Sequence, residues 1–588
     1  MPLIRCSTTA SRAQRSRRVA STSFQIAAAS ILLATTAVAQ TGAGTTSGRP
    51  IAQPADLIVT NARVYTADNT HPLAEAFAVR GARIVFIGSA REAQALRGPS
   101  TKVVDAAGRT VIPGMVDAHA HLGGLAQSLR NVDLTGTRTY DEVIARVAER
   151  ARTLPKGAWV QGRGWDQNDW GDTRFPTHEK LTAALPDNPV VLTRVDGHAV
   201  LVNAAAMRAA GISATTADPS GGRILRDAAN NPTGVLVDNA QALAGRTIPA
   251  PRPEEIRSAV KDAVAELHRW GLTGLHDAGA NRAQIDLYES LAKAGELDLR
   301  LDAMISDDSA AISHYFAMGP RSGLYDGRLW VRSVKLYADG ALGSRGAALL
   351  EPYSDDPNNT GLLVSAPAHI REVAERALKT GFQVNTHAIG DRGNRIVLDA
   401  YEAALKAVPT ADHRFRVEHA QIIAPDDIPR FAQLGVIPSM QASHQTSDMY
   451  WAEKRIGQTR LLGAYAWQSL IASGVVIPNG SDAPVEQVNP LISFHASIAR
   501  QDANNWPAGG WFAEQRMSRE DGLRSMTLWP AYAAFQEKDL GSLTVGKLAD
   551  FVILDQDIMR VPPELVLKTN VLNTYVGGKE VYVRKTVP

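Results

Sequence analysis

The segment VIPGMVDAHAHL places His119 and His121 directly after an apolar run. Side chains at i and i+2 of a strand leave on one face, so both imidazoles can reach one cation. Four more residues of metal-ligand or proton-transfer type stand in similar settings: Lys335 in SVKLYADG, His387 in VNTHAIGD, His419 in RVEHAQ and Asp482 in NGSDAPV. Such a set can bind a divalent ion, whose usual use is to activate water. Plainer readings stand beside this one. His-x-His can be incidental, and His387 and His419 can be satisfied core histidines. Lys335 can be an ordinary ammonium paired with Asp339 or Asp482 near a single ion, and Asp482 can cap a helix ahead of Ala483-Pro484.

Positioning these residues requires a scaffold that gathers strand ends. Eight runs read as buried strands, from Val111 to Ala118, Leu272 to His276, Leu299 to Ile305, Leu329 to Leu336, Phe382 to Thr386, Phe415 to Glu418, Val436 to Gln441 and Val475 to Asn479. They alternate with helical stretches, the pattern of an α/β protein with a parallel (β/α)8 TIM-like barrel, whose active sites form at the carboxyl ends of the strands. All six candidate residues lie at such ends. The spacing agrees, with 52 residues from Lys335 to His387, 32 to His419 and 63 to Asp482, the last gap fitting two β/α units.

Short β-rich runs (Leu57-Ile58-Val59, Arg63-Val64-Tyr65, Ala76 to Val79, Ile84 to Ile87) precede the barrel, and similar runs (Ala549 to Leu554, Val571 to Val576, Glu580 to Val583) follow it. The two ends are expected to pair as one small β-sandwich, residues 56–112 with 541–588, around a barrel of residues 113–540. The stretch of about 130–260 exceeds an ordinary loop and is expected to be an insertion after the first barrel strand.

The segments GMVDAHAHL, GWDQNDW, DGHAVLVN, GLTGLHDAG, VKLYADGALGSRGAAL, THAIGDRGN, VEHAQ, NGSDAPV and GSLTVGKLADFVILD resemble the amidohydrolase superfamily, in particular its family 3 branch with YtcJ-like proteins and N-substituted formamide deformylase. The resemblance covers about residues 56–588. It implies that His119, His121 and Asp482 hold one ion, that His387 and His419 hold a second, and that Lys335 bridges them. An ammonium cannot ligate a cation, so bridging requires Lys335 to be carboxylated to a carbamate. Zinc is the expected metal, with iron, cobalt, nickel or manganese also compatible with such donors. The implied reaction is hydrolysis of an amide C–N bond, N-formyl, N-acyl or cyclic, by metal-activated water, with Asp482 carrying the proton to the departing nitrogen.

Other residues are candidates for contact with substrate. His198 and Asn203 in the insertion either face the substrate or serve structure. Trp165, with Trp159 and Trp170, either lines an apolar pocket or packs a core. Arg345 meets a substrate carboxylate or phosphate, or caps a loop. Asp391, Gln441 and His444 sit near strand ends, where they can orient ligands or bind substrate, and His276-Asp277 closes the second strand behind the ligands.

Composition narrows the setting. With 588 residues, 45% of them hydrophobic and 21% charged, the chain can bury a large core. Residues 1–39 carry Arg5, Arg12, Arg15, Arg17 and Arg18 and no acid, then an apolar run from Ile26 to Val38 ending in Ala37-Val38-Ala39. That order reads as a cleavable signal for a periplasmic or secreted protein, and Ser16-Arg17-Arg18 resembles a twin-arginine export signal. The run falls short of the roughly 20 apolar residues of a membrane span, so no stable span is expected after cleavage. Residues 40–55 read as a flexible tether.

The single cysteine, Cys6, lies in the signal, which excludes disulfides and thiolate ligands from the mature chain. Losing the five signal arginines takes the formal charge from +2 to −3, a balance that recommends neither nucleic acid nor an anionic membrane. A small-molecule amide is the expected partner, and a homodimer is the default assembly. Two rivals remain. One is a mononuclear deaminase on the same barrel, disfavoured because Ala388-Ile389-Gly390-Asp391 lacks the glutamate such enzymes place after the fifth-strand histidine. The other is a non-catalytic exported metal-binding or regulatory protein.

Overall fold

The computed structural model describes residues 53–585 except 173, 196, 198, 220, 221 and 344. The expected signal and all but the last residues of the expected tether therefore lie outside the described residues. Seven parallel strands, Met115–Ala120, Leu272–Ala280, Arg300–Ile305, Leu329–Tyr337, Gln383–Ala388, Arg416–His419 and Ile437–Ser439, pair in chain order. Amphipathic helices cover them. In Asp391–Ala407 the buried Val397, Tyr401 and Ala404 recur at helical spacing and face the sheet, and Arg282–Lys293 starts at an Asn281/Gln284 capping box.

Two strand expectations need correction. The eighth run, Val475–Asn479, closes the ring without forming a ladder strand, because Pro478 has no N–H to give. It is held from both sides instead. Met440 N donates to Pro478 O (2.9 Å) and Gly480 N to Met440 O (3.0 Å), while Ala118 N donates to Asn479 O (3.2 Å) and Asp482 N to His119 O (2.7 Å). Gly480 permits this approach, since a Cβ there would lie 2.5 Å from His119 N.

The first run, Val111 to Ala118, splits at Gly114: Thr110–Pro113 belongs to the sandwich and only Met115–Ala120 to the barrel. A Cβ at Gly114 would meet Thr273 Oγ1 at 2.1 Å, so the chain can change sheets there only with glycine.

Both chain ends build the β-sandwich. One sheet contains Arg83–Gly88, Ala76–Arg80, Ala55–Thr60 and Arg97–Asp105, and the other joins Lys579–Val583, Val571–Val576 and Phe551–Leu554 to Thr110–Pro113, Arg63–Tyr65 and Leu73–Ala74. Their shared core is apolar, with Phe551 stacked on Tyr575 (4.3 Å) and edge-on to Phe77 (5.0 Å). Between the first two barrel strands the chain leaves for a six-stranded sheet running from Val132–Asp133 to Gly222–Arg226, with helices Tyr140–Ala151, His178–Ala184 and Ala204–Ala209. Among the described residues no helix is long and apolar enough to cross a membrane.

Candidate active site

The carboxyl ends of the barrel strands gather the histidines, lysine and aspartate into one cluster. One donor atom from each of His119, His121 and Asp482 lies within 4.8 Å of the others, and the same holds for His419, His444 and Asp482. Asp482 joins the two groups. Its Oδ1 is 3.1 Å from His121 Nε2 and 3.6 Å from His119 Nε2, and its Oδ2 is 3.6 Å from His444 Nε2. The ring of His419 lies 4.4 Å from that of His387 and 4.8 Å from that of His119, centroid to centroid. Lys335 Nζ is 3.3 Å from His119 Nε2.

The elements explain the convergence. His119 lies next to the end of the wholly buried first strand, and His121 is the N-cap position of Leu122–Ser128. Asp117 accepts from Ser481 N (2.9 Å) and Ser481 Oγ (2.6 Å), pinning the closing segment to the first strand. Asp482 adopts φ +61° and His419 φ +72°, a left-handed backbone that non-glycine residues rarely take. Such strain persists where the surroundings impose it, as at functional sites.

Electrostatics favour a cation in this cluster. Burial holds His119 and His419 well below the ordinary imidazole range, helped by Lys335 beside His119 and by His387 and His119 beside His419. Burial and Lys335 push His387 down to about 3. These rings are therefore neutral, with lone pairs available. Burial alone would raise Asp482, but the hydrogen bond from His121, together with His119, His419 and His444 around it, outweighs burial and holds the carboxyl well below its usual range. Lys335 is lowered to about 8 by burial.

His387 Nε2 and His444 Nε2 are buried without a hydrogen-bond partner, an uncommon state for a polar atom and one that a ligand or ion would relieve. Neutral imidazole nitrogens and an ionised carboxylate turned toward one another fit a divalent metal.

Not every expected site residue joins this cluster. Gln441 and His444 do: Gln441 Oε1 lies 2.7 Å from His419 Nδ1, and the His444 ring stacks on His419 at 5.7 Å. Asn203 does not, because its amide accepts from Val190 N and Ala206 N and donates to Leu185 O and Asn188 O, all within the insertion. Trp165 is fully buried in the insertion's core, donating Nε1–H to Leu192 O (2.8 Å). Arg345 forks onto Asp355 (2.9 and 3.1 Å), and Asp391 accepts from Leu350 N and Arg392 N. In each of these four, polar side-chain atoms bond within the protein, as the structural alternative expects. His198 lies outside the described residues.

The pairing of Lys335 with Asp339 is also absent. The Asp339 carboxylate accepts from the backbone of Ala348, Ile389 and Gly390 (2.8–2.9 Å).

Sequence reasoning missed Arg416 and Glu418, both fully buried beneath the cluster. Glu418 Oε2 is 2.5 Å from His119 Nδ1. Their signal was legible as two opposite charges at i and i+2 in a strand otherwise fit for burial.

Comparisons place this architecture. The model of the family described as "Amidohydrolase family" matches residues 102–582. The chain is 35% identical over 543 residues to Protein LONG AFTER FAR-RED 3 of Arabidopsis thaliana, covering 90% of this chain and 92% of that one. It is 30% identical over 555 residues to the N-substituted formamide deformylase of Arthrobacter pascens, covering 90% of this chain and 99% of the relative. Among solved structures, an uncharacterized metal-dependent hydrolase from Pyrococcus furiosus superposes with a TM-score of 0.71 at 28% identity, over 86% of this chain and 100% of its own. The chain belongs to the amidohydrolase family.

Proposed function

We propose that this protein is a metal-dependent hydrolase that cleaves a C–N bond of a small amide, N-formyl, N-acyl or cyclic. The observation that carries the reading is the convergence of His119, His121, Lys335, His387, His419 and Asp482 at one barrel mouth, with neutral imidazoles facing an ionised carboxylate. Similarity to a formamide deformylase supports the amide class.

A bound divalent ion, zinc first among the choices, supplies Lewis acidity that acidifies water and polarises the scissile carbonyl. His119, His121 and Asp482 would hold one ion, and His387 and His419 a second. Lys335, buried and eased toward its neutral amine, is suited to react with carbon dioxide, its nitrogen bonding to the carbon as a proton leaves, and so to bridge as a carbamate. Asp482 takes the proton from water and returns it to the amide nitrogen, which leaves poorly unless protonated. Its Oδ2, 3.6 Å from His444 Nε2 while Oδ1 lies by His121 and His119, is the oxygen assigned to that transfer. His444 is suited to meet the substrate there.

The deaminase alternative loses support because Asp391, the acid nearest the fifth-strand histidine in sequence, spends its carboxylate on Leu350 N and Arg392 N. Export follows from the proposed signal in residues 1–39.

The test is elemental analysis of protein purified from Gln40 onward, with intact mass under conditions that preserve a lysine carbamate, followed by a screen of N-formyl, N-acyl and cyclic amides. Two ions per chain with turnover is the expected result. One ion with unmodified Lys335 would replace the bridged site by a mononuclear one, and no ion would overturn the metal hydrolase.

A further inference from the structure

Arg416 and Glu418 form an ion pair with no exposed surface, Arg416 Nε lying 2.6 Å from Glu418 Oε1. Burying such a pair costs desolvation that the attraction often fails to recover, and an apolar pair of similar size would commonly serve stability as well. The pair therefore calls for a reason beyond folding, and its contacts supply one.

Arg416 is a strap across the barrel interior. Its Nη2 donates to Ala118 O on the first strand (2.7 Å), to Ser439 Oγ on the seventh (2.7 Å) and to Glu418 Oε2 (3.0 Å), while Nη1 lies 3.1 Å from His276 Nδ1 on the second strand. This fork fixes the Glu418 carboxylate in direction, with Oε2 against His119 Nδ1. A carboxylate accepts only, so Nδ1 must carry the proton and Nε2 the lone pair. Nε2 is the nitrogen that faces Lys335 and Asp482.

We propose that Glu418, braced by Arg416, is a positioning residue for an ion at His119: it selects the imidazole tautomer, holds the ring plane and strengthens Nε2 as a donor. The inference rests on the metal-site reading above and adds to it a residue that touches neither ion nor substrate. It also places the ion's hold on His119 under the control of a strap joining the first, second, sixth and seventh strands, so ion binding and barrel closure reinforce one another.

The experiment compares zinc dissociation constants of the parent and Glu418→Gln by competition with a chromophoric chelator, with the folded fraction of each metal-free protein fixed by circular dichroism. The expected result is affinity weaker by about 10–100-fold, the range for losing such a supporting carboxylate. The visible spectrum of the cobalt-substituted protein should shift as well, which a merely structural role would not cause. If Glu418→Gln fails to fold because Arg416 is left without its counter-charge, the double variant Arg416→Met, Glu418→Gln, neutral at both positions, carries the same comparison. Parent and variant affinities within twofold, with the same cobalt spectrum, would overturn the role of Glu418 alone. A parent that binds no ion would instead overturn the metal reading beneath it.

Discussion

The inserted sheet and the barrel mouth both bury polar side chains, and Asn203 and Trp165 in the one are treated in the opposite way to His387 and His444 in the other. In the insertion Asn203 uses its amide in four hydrogen bonds of 2.8–3.0 Å, and Trp165 gives its only N–H to a carbonyl. At the mouth His387 Nε2 and His444 Nε2 are buried without partners, and His419 and Asp482 hold left-handed backbone. A polar group whose capacity is spent inside the protein belongs to the fold. One left unspent, in strained surroundings, is kept for something the protein binds. Asn203, Trp165 and Arg345 looked as eligible in sequence as His444, and this difference in satisfaction separates them; Gln441, also satisfied, joins the mouth through its bond to His419.

The comparison can be broken first at Asp482. Asp482→Asn is expected to lower kcat by about 10³-fold, within the range for losing a proton-transfer group, while metal-free thermal unfolding stays near the parent's; a rate within tenfold of the parent would end its assignment as proton carrier. On the other side, Trp165→Ala should destabilise by about 3–5 kcal/mol, the cost of truncating a buried tryptophan, and Asn203→Ala by about 1–3 kcal/mol, since it orphans buried backbone groups. Denaturant titration measures both. In each, kcat per folded molecule should be unchanged, and a selective rise in KM would return that residue to the substrate site.

A subtler test uses pH on metal-free protein. His387 is lowered to about 3 in the fold, below its ordinary 6.5, so its contribution to stability is full above 6.5 and is lost as pH falls toward 3. Asp302 and Asp339, raised to about 7 by burial, act in the opposite sense between their unfolded value near 3.8 and 7. The difference between parent and His387→Gln isolates the histidine: the variant should lose less stability than the parent between pH 6.5 and 4. Equal slopes would show that His387 is not held neutral by burial. The smallest effect belongs to Arg345→Ala, whose partly exposed pair with Asp355 should cost within about 1 kcal/mol and leave turnover unchanged; a tenfold rise in KM would place Arg345 at the substrate.

Much of this protein is legible in its sequence because barrel strands and their ligands are local signals. A buried strand announces itself as an apolar run, and a candidate ligand at its end follows within a residue or two, so His119, His121, Lys335, His387, His419 and Asp482 could be named as candidates from residue type and position, with the resemblance implying their ligand roles, and are found together. The expected strands failed where a non-local demand overrode the local one. Gly114 hands the chain from sandwich to barrel because Thr273 leaves no room for a side chain, and Pro478 keeps the closing segment out of the ladder while His119 and Met440 hold it in place. Residue types and periodicity thus determined the barrel, the paired chain ends and the inventory of donors. Tertiary structure alone decided which polar groups were already spent, that Asp339 serves backbone N–H groups rather than Lys335, and that Arg416 and Glu418 stand behind His119. The reason is physical: hydrogen-bond satisfaction depends on which atoms of distant segments come within about 3 Å, and no pattern along one strand carries that distance.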